Sequence, residues 1–169
     1  MVWTKRNLVI LLNLLLLLGF FNWSVLQKER ILAHGKLVLL QLAPVDPRSL
    51  LQGDYMRLNY AISQPTNLSS LPSRGYVVVR VGAGGMARLV RYQEETNPLK
   101  AGEQLIRYSK TERSIQIGAE SYFFEEGQGE VFAAAAFGGL KVDQRGNSVL
   151  VGLYTAQGQL IRPRSAKKR

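Results

Sequence analysis

Few residues in this sequence have side chains of the types that catalyse reactions or bind metal ions. The chain of 169 residues has no cysteine and one histidine, His34. Without cysteine there is no disulfide, no thiolate metal site and no cysteine nucleophile. A single imidazole nearly excludes multi-histidine metal sites and a catalytic triad built on a second, deeper histidine. Because His34 follows a long apolar segment, we expect it to be an interfacial residue and not a ligand.

Acidic side chains cluster in one part of the sequence, where Glu125 and Glu126 are adjacent and Glu120 and Glu130 are close. Such a group could act in hydrolysis or bind calcium. The segment EEGQGE, residues 125–130, favours an acidic hairpin turn instead. We therefore predict no metal site, no catalytic residue and no cofactor.

The glycine cluster GAGG, residues 82–85, has the composition of a phosphate-binding loop. It lacks the lysine and the following helix of a P-loop. It also separates two apolar runs, GYVVVRV and MARLVRY, a pattern typical of a hairpin. We therefore predict a turn between two strands.

The net charge of +10 is in the range of nucleic-acid-binding proteins, but the charges are concentrated at the ends. Of the 22 lysines and arginines, seven are Lys5, Arg6 and five residues in 162–169, and the other 15 accompany 12 acidic residues. A near-neutral body with basic ends is not the pattern of a nucleic-acid groove. No nucleic-acid partner is expected.

Residues 7–26, NLVILLNLLLLLGFFNWSVL, include no charged side chain. About 20 residues at roughly 1.5 Å each cross a bilayer core of about 30 Å. No small-residue cleavage site follows, so we predict an uncleaved transmembrane anchor and not a signal peptide. The flanking positive charges are nearly even, and a short N-terminal tail commonly stays in the cytoplasm. Residues 1–6 are therefore expected in the cytoplasm and residues 27–162 on the opposite side of the membrane.

From Lys36 onward the sequence consists of short apolar runs separated by turn residues. Within residues 55–62, every second residue is apolar or aromatic and the intervening ones are more polar, which indicates a half-buried strand. The pattern predicts a mainly β fold, with the N-terminal transmembrane helix followed by a β-sandwich or small barrel. The run GEVFAAAAFGG, residues 129–139, predicts one short helix ended by glycines. Residues 163–169 are expected to be a disordered basic tail.

The stretch GDYMRLNY, residues 53–60, which we call the motif, joins a predicted turn to this alternating strand. Gly53 can adopt a positive φ, and Asp54 can accept backbone N–H groups that fix the turn. Tyr60 is expected to bury its ring and to need a partner for its hydroxyl, while Tyr55 covers the other face. A role of these residues in binding a ligand or partner remains open from the sequence.

The motif and its surroundings resemble the GDYXXLXY family, a group of bacterial membrane-anchored proteins. Gly53, Asp54, Tyr55, Leu58 and Tyr60 all match its fixed positions. PVDPR before the motif, ESYFFEEGQGE after it and the anchor also resemble the family pattern. The resemblance implies a single-pass protein of the bacterial inner membrane with a periplasmic domain and a multi-pass membrane partner. It implies no catalytic role, because the family has no established biochemical activity.

A fainter resemblance, to signal peptidases, leaves a hydrolase-like enzyme as the alternative. The run SLLQGD, residues 49–54, imitates the end of their catalytic-serine segment. Aligning the Gly-Asp pairs places Val45 at the nucleophile position, where a valine cannot attack a carbonyl. Ser49 is a weak substitute, and Lys100 and Lys110 lack the sequence context of a catalytic lysine. We therefore expect a non-enzymatic accessory or binding protein.

Overall fold

The computed structural model describes residues 5–43, 51–52, 55–125 and 128–163. Within them the chain forms a long N-terminal helix, a short second helix and ten strands. In chain order these are α1 (Lys5–His34), β1 (Lys36–Gln41), β2 (Leu51–Gln52), β3 (Tyr55–Arg57), β4 (Arg74–Val81), β5 (Ala87–Gln93), β6 (Glu103–Lys110), β7 (Ile115–Gln116), β8 (Ser121–Phe123), α2 (Gly129–Phe132), β9 (Phe137–Val142) and β10 (Ser148–Tyr154).

The described strands form three open sheets, in the orders β1-β9-β10, β2-β3-β8 and β5-β4-β6-β7. Every pairing between these strands is antiparallel. The prediction of a mainly β fold with an N-terminal helix and one short helix is therefore confirmed. Because these sheets are open, the described residues do not form the small barrel that was the alternative to a sandwich.

One cluster of buried side chains connects the three sheets. It includes Val38 of β1, Met56 of β3, Val77 of β4, Ile106 of β6 and Leu140 of β9, each with 2% or less of its surface exposed. Full burial of a side chain of this size contributes roughly 1.5–3 kcal/mol. The cluster is therefore the main source of the domain's stability, and it fixes which face of each strand points inward.

Helix α1 is longer than the predicted anchor, because it continues past Leu26 to His34. The added segment QKERILAH contains neither glycine nor proline, so nothing in it interrupts the helix. In the part of α1 from Leu8 to Leu26, the large apolar side chains are 37–69% exposed. Among the described residues, α1 is the one helix that is long and apolar enough to cross a membrane.

The alternating segment 55–62 keeps its predicted burial pattern but is not one continuous strand. Met56, Leu58, Tyr60 and Ile62 are buried. Strand β3 nevertheless ends at Arg57, and a 3₁₀ turn begins at Ala61. Beyond the strand, Tyr60 forms an isolated antiparallel bridge with Leu42, the residue that follows β1.

The prediction of a helix over 129–139 is wrong beyond Phe132, where α2 ends. Residues 137–139 instead begin β9, the central strand of its sheet. Ala136 also joins neighbouring strands, since its carbonyl accepts from the Leu42 N–H and its own N–H donates to Tyr154 O. Tertiary pairing thus overrides the helix propensity of the alanines.

The prediction of a hairpin at GAGG is confirmed, because residues 82–85 connect the paired strands β4 and β5. Gly84 and Gly85 have φ angles of 69° and 83°. Glycine adopts this left-handed region without the steric cost that a Cβ would bring.

A buried carboxylate at the start of β6 links β4, β5 and the loop before β6. The Glu103 side chain has no exposed surface, and its Oε2 lies 3.0 Å from Arg91 Nη1. It also accepts the backbone N–H of Lys100 at 3.0 Å, and Oε1 lies 3.6 Å from Arg80 Nη2. These contacts, the Lys100 N–H first, hold the pKa of Glu103 below its ordinary value of 4.5 despite burial.

Replacing Glu103 with Gln is expected to destabilise the fold at neutral pH, because Arg91 then loses its charged acceptor. Since folding lowers the pKa of Glu103, its contribution is present above the ordinary value of 4.5 and is lost as the pH falls through the lowered pKa. The difference in free energy of unfolding between wild type and Glu103→Gln should therefore shrink on acidification. Urea unfolding of the full chain in detergent, followed by circular dichroism, measures it; a difference independent of pH would contradict this role.

Candidate functional site

The last residue of the motif, Tyr60, is fully buried. Its hydroxyl donates to the backbone carbonyl of Ala119 at 2.8 Å, which satisfies both polar groups. Its ring lies against Gly138 of β9, where a Cβ would come within 2.7 Å of Tyr60 Cε1. Tyr60 therefore joins β9 to the segment before β8, and it requires glycine at position 138.

Burial and the nearby charge of Glu120 raise the pKa of Tyr60 far above its ordinary value of 10. The hydroxyl therefore stays protonated and acts as a hydrogen-bond donor. The Glu120 carboxylate accepts the N–H groups of Ile117 and Gly118, which fixes the turn that presents the Ala119 carbonyl. The Glu120 carboxylate thus has a structural role, because it holds this turn in place.

Leu58, on the same face of the motif as Tyr60, is 3% exposed. Its N–H donates to Glu120 O at 2.7 Å, next to the Tyr60 hydrogen bond. The N–H of Ala43 donates to Asn59 O at 2.7 Å, which ties the same segment to the end of β1. These bonds and the Leu42–Tyr60 bridge connect the sheet of the motif to the sheet of β9.

Tyr55 faces the opposite way and forms an aromatic pair with Phe123 of β8. The two residues are register partners, and their ring centroids are 5.7 Å apart. Phe123 is 74% exposed, while its neighbours Tyr122 and Phe124 pack on Phe132. Tyr55 is half-buried, so the two rings form an aromatic surface that is partly exposed and partly built from the motif, and we call it the aromatic pair.

Phe123 was not selected from the sequence, although a signal existed. In SYFF, residues 121–124, side chains on a strand alternate between its two faces, so Phe123 points to the face opposite that of Tyr122 and Phe124. Gly138 is not indicated as a contact residue by the sequence either, because the run 129–139 predicts it as the end of a helix. Gly53 and Asp54, which the sequence assigns to a turn, lie outside the described residues. The strands on either side of these two residues, β2 and β3, pair with each other, and Gln52 lies opposite Tyr55.

The other candidate groups are dispersed. Val45, Ser49 and Glu126 lie outside the described residues, and Glu125 and Glu130 are exposed. Among the residues that the structure describes, no group of three or more histidine or acidic side chains could hold a metal ion.

The candidate basic residues and the histidine occupy separate places. The Lys110 ammonium donates to Leu71 O at 2.6 Å and to Ser69 O at 3.3 Å. Lys100 contributes its backbone N–H to Glu103. His34 is the exposed last residue of α1. Of the sequence-selected residues, the structure therefore brings together Tyr55, Leu58, Tyr60 and Glu120, which lie on or beside the β3–β8 pairing.

Comparison with known proteins gives one match. A family model described as GDYXXLXY protein matches residues 17–153, which is most of the chain. No curated protein and no solved structure matches.

Tyr60→Phe is expected to lower the free energy of unfolding by about 1–3 kcal/mol, because the buried carbonyl of Ala119 loses its donor. Tyr55→Phe is the matched control and should change stability little, since the Tyr55 hydroxyl makes no hydrogen bond to another described residue. Denaturant unfolding of the full chain in detergent measures both. Equal losses for the two variants would contradict the structural role assigned to the Tyr60 hydroxyl.

Proposed function

The chain belongs to the GDYXXLXY family, and we propose that it is a membrane-anchored accessory protein of the bacterial inner membrane. In this proposal α1 spans the membrane, residues 1–6 lie in the cytoplasm, and the β domain lies in the periplasm. The domain binds a multi-pass membrane protein and has no enzymatic activity of its own.

The observation that carries the proposal is the exposed apolar surface of α1. Leu8, Leu16 and Phe20 are 62%, 66% and 69% exposed, and the helix is apolar around its circumference. Such a helix is stable only where lipid or other apolar helices cover it. Asn13 lies within the span, where an amide can form a hydrogen bond to a neighbouring helix. The apolar surface favours insertion of α1 into a membrane, and Asn13 favours a partner helix within it.

The aromatic pair favours a second contact outside the membrane. Large exposed aromatic rings are enriched where proteins bind one another, because they bury much area at little entropic cost. Tyr55 and Phe123 are held by paired strands, so the surface they form is ordered before any partner binds. Two of the polar groups that could have taken part in catalysis are engaged elsewhere in the fold, since the Tyr60 hydroxyl and the Lys110 ammonium each donate to backbone carbonyls. This supports binding over catalysis.

The partner interaction is tested by co-purification in mild detergent. Wild type should retain a multi-pass membrane protein, and Tyr55→Ser/Phe123→Ser should lose most of it. Leu89→Ser/Val90→Ser is the matched control, because it removes two apolar side chains from β5 that are 43% and 39% exposed. All three proteins must first unfold at similar denaturant concentrations. Retention by the Tyr55/Phe123 variant, or loss by both variants, would contradict the assignment of the aromatic pair.

The orientation is tested with single cysteines, since the natural chain has none. Glu112→Cys, in the exposed turn between β6 and β7, should react in intact spheroplasts with a maleimide that cannot cross membranes. Thr4→Cys should react only after lysis. The reverse pattern would place the domain in the cytoplasm, and reaction of both in intact cells would contradict a spanning anchor.

A further inference from the structure

Helix α1 continues into the β domain without a linker, because it ends at His34 and β1 begins at Lys36. Ile31 is 6% exposed against the domain. Gly35 lies so close to β9 that a Cβ there would come within 3.0 Å of the Val142 nitrogen. The Lys141 ammonium donates to Gly35 O at 3.0 Å. These contacts fix which part of the domain faces the membrane.

That part contains an open cleft of about 990 Å³ between α1 and the turn that joins β9 to β10. The helix contributes Trp23, Gln27, Arg30 and His34, which share one helical face. The turn contributes residues 143–145 and 147. One wall of the cleft is therefore the helix where it leaves the apolar span, and the other wall is the domain.

The cleft has an excess of positive charge. Arg30, Lys36 and Arg145 line it, and within the described part of the chain none of them forms an ion pair. The one acidic lining residue, Asp143, already accepts the N–H groups of Arg145 and Asn147 and the side-chain amide of Asn147. Three cations with no acidic partner around one cleft favour an anionic ligand.

The position of the cleft indicates what that anion is attached to. Trp23 lies inside the apolar segment, and Arg30 lies four residues beyond its end at Leu26. At about 1.5 Å per residue, Arg30 is roughly 6 Å past the hydrocarbon boundary. This distance falls within the headgroup layer, which is about 5–7 Å thick on each side. A ligand that meets both residues has a negative head and an apolar chain.

We infer that this cleft binds the phosphate headgroup of an anionic phospholipid through Arg30 and Arg145, with the acyl chains beside Trp23. The inference rests on the membrane insertion of α1 in the proposed function, but it needs no protein partner. Bound lipid would hold the domain against the membrane surface. Each arginine at an anionic surface is expected to contribute about fivefold to the preference for anionic lipid.

The test uses quenching of Trp23 fluorescence by brominated lipids. Trp3→Phe leaves Trp23 as the single tryptophan, and the full chain is reconstituted into vesicles of phosphatidylcholine and phosphatidylglycerol. In one series the phosphatidylglycerol carries brominated acyl chains, and in the other the phosphatidylcholine carries them. At equal mole fraction, brominated phosphatidylglycerol is expected to quench Trp23 more strongly than brominated phosphatidylcholine. The binding constant of phosphatidylglycerol relative to phosphatidylcholine should be well above one.

Two variants locate the preference. Arg30→Gln/Arg145→Gln should reduce the preference for phosphatidylglycerol by roughly an order of magnitude or abolish it. Arg88→Gln/Arg113→Gln removes the same charge from exposed positions outside the cleft and should leave it unchanged. If the preference survives in the Arg30/Arg145 variant, or is lost equally in both variants, the assignment of the cleft is overturned.

The remaining outcomes separate the lipid site from the anchor and from soluble anions. Equal quenching of wild type by the two brominated lipids would leave the anchor intact and overturn the lipid site. Absence of quenching by both would contradict the insertion of α1, and with it the proposed function. Glycerol phosphate added to the vesicles should not reduce the preference; if it does, the cleft takes a soluble phosphate and the lipid assignment is overturned.

Discussion

The ring of Tyr60 lies against the backbone of β9, and this contact exists because residue 138 has no Cβ. From this position the hydroxyl reaches Ala119 O, while the backbone of Tyr60 bridges Leu42 at the end of β1. A single residue thus joins β9 and the segment before β8 through its side chain, and the residue after β1 through its backbone. Among the described residues of the motif, Met56 and Leu58 are buried on the same face as Tyr60, as the period of two predicts.

The spacing of the motif has a physical account in this geometry. Leu58 and Tyr60 are two residues apart and share the buried face. Tyr55 is five residues before Tyr60, so it lies on the opposite face and pairs with Phe123. Among the described residues of the motif, Met56, Leu58 and Tyr60 build the core, while the half-buried Tyr55 lies beside the exposed ring of Phe123. The fold accounts for Leu58 and Tyr60, whereas the contact proposed for a partner involves Tyr55 of the same stretch.

Local patterns predicted the parts of the fold that depend on neighbouring residues. The apolar run predicted α1, the period of two predicted the buried face of the motif, and GAGG predicted the β4–β5 turn. The predicted anchor covers residues 7–26, whereas α1 extends to His34, because the polar segment after Leu26 continues the helix without resembling a membrane span.

The failures arise where distant residues decide the structure. Alanine propensity predicted a helix at 129–139, whereas Gly138 and Gly139 belong to β9 and lie against the rings of Tyr60 and Tyr154. Gly75 of β4 is covered by Tyr108 in the same way. Some glycines make room for an aromatic ring that is distant in the sequence, and others end a helix. The residues next to a glycine do not show which of these two roles it has.

The most direct test of the central contact is a double-mutant cycle of unfolding free energies with Gly138→Ala, Tyr60→Leu and the combined variant. If the Tyr60 ring occupies the space above Gly138, the alanine should cost about 1–3 kcal/mol with Tyr60 present. It should cost far less once leucine replaces the ring, so the two effects should not add. An alanine cost that is the same in both backgrounds would contradict the account.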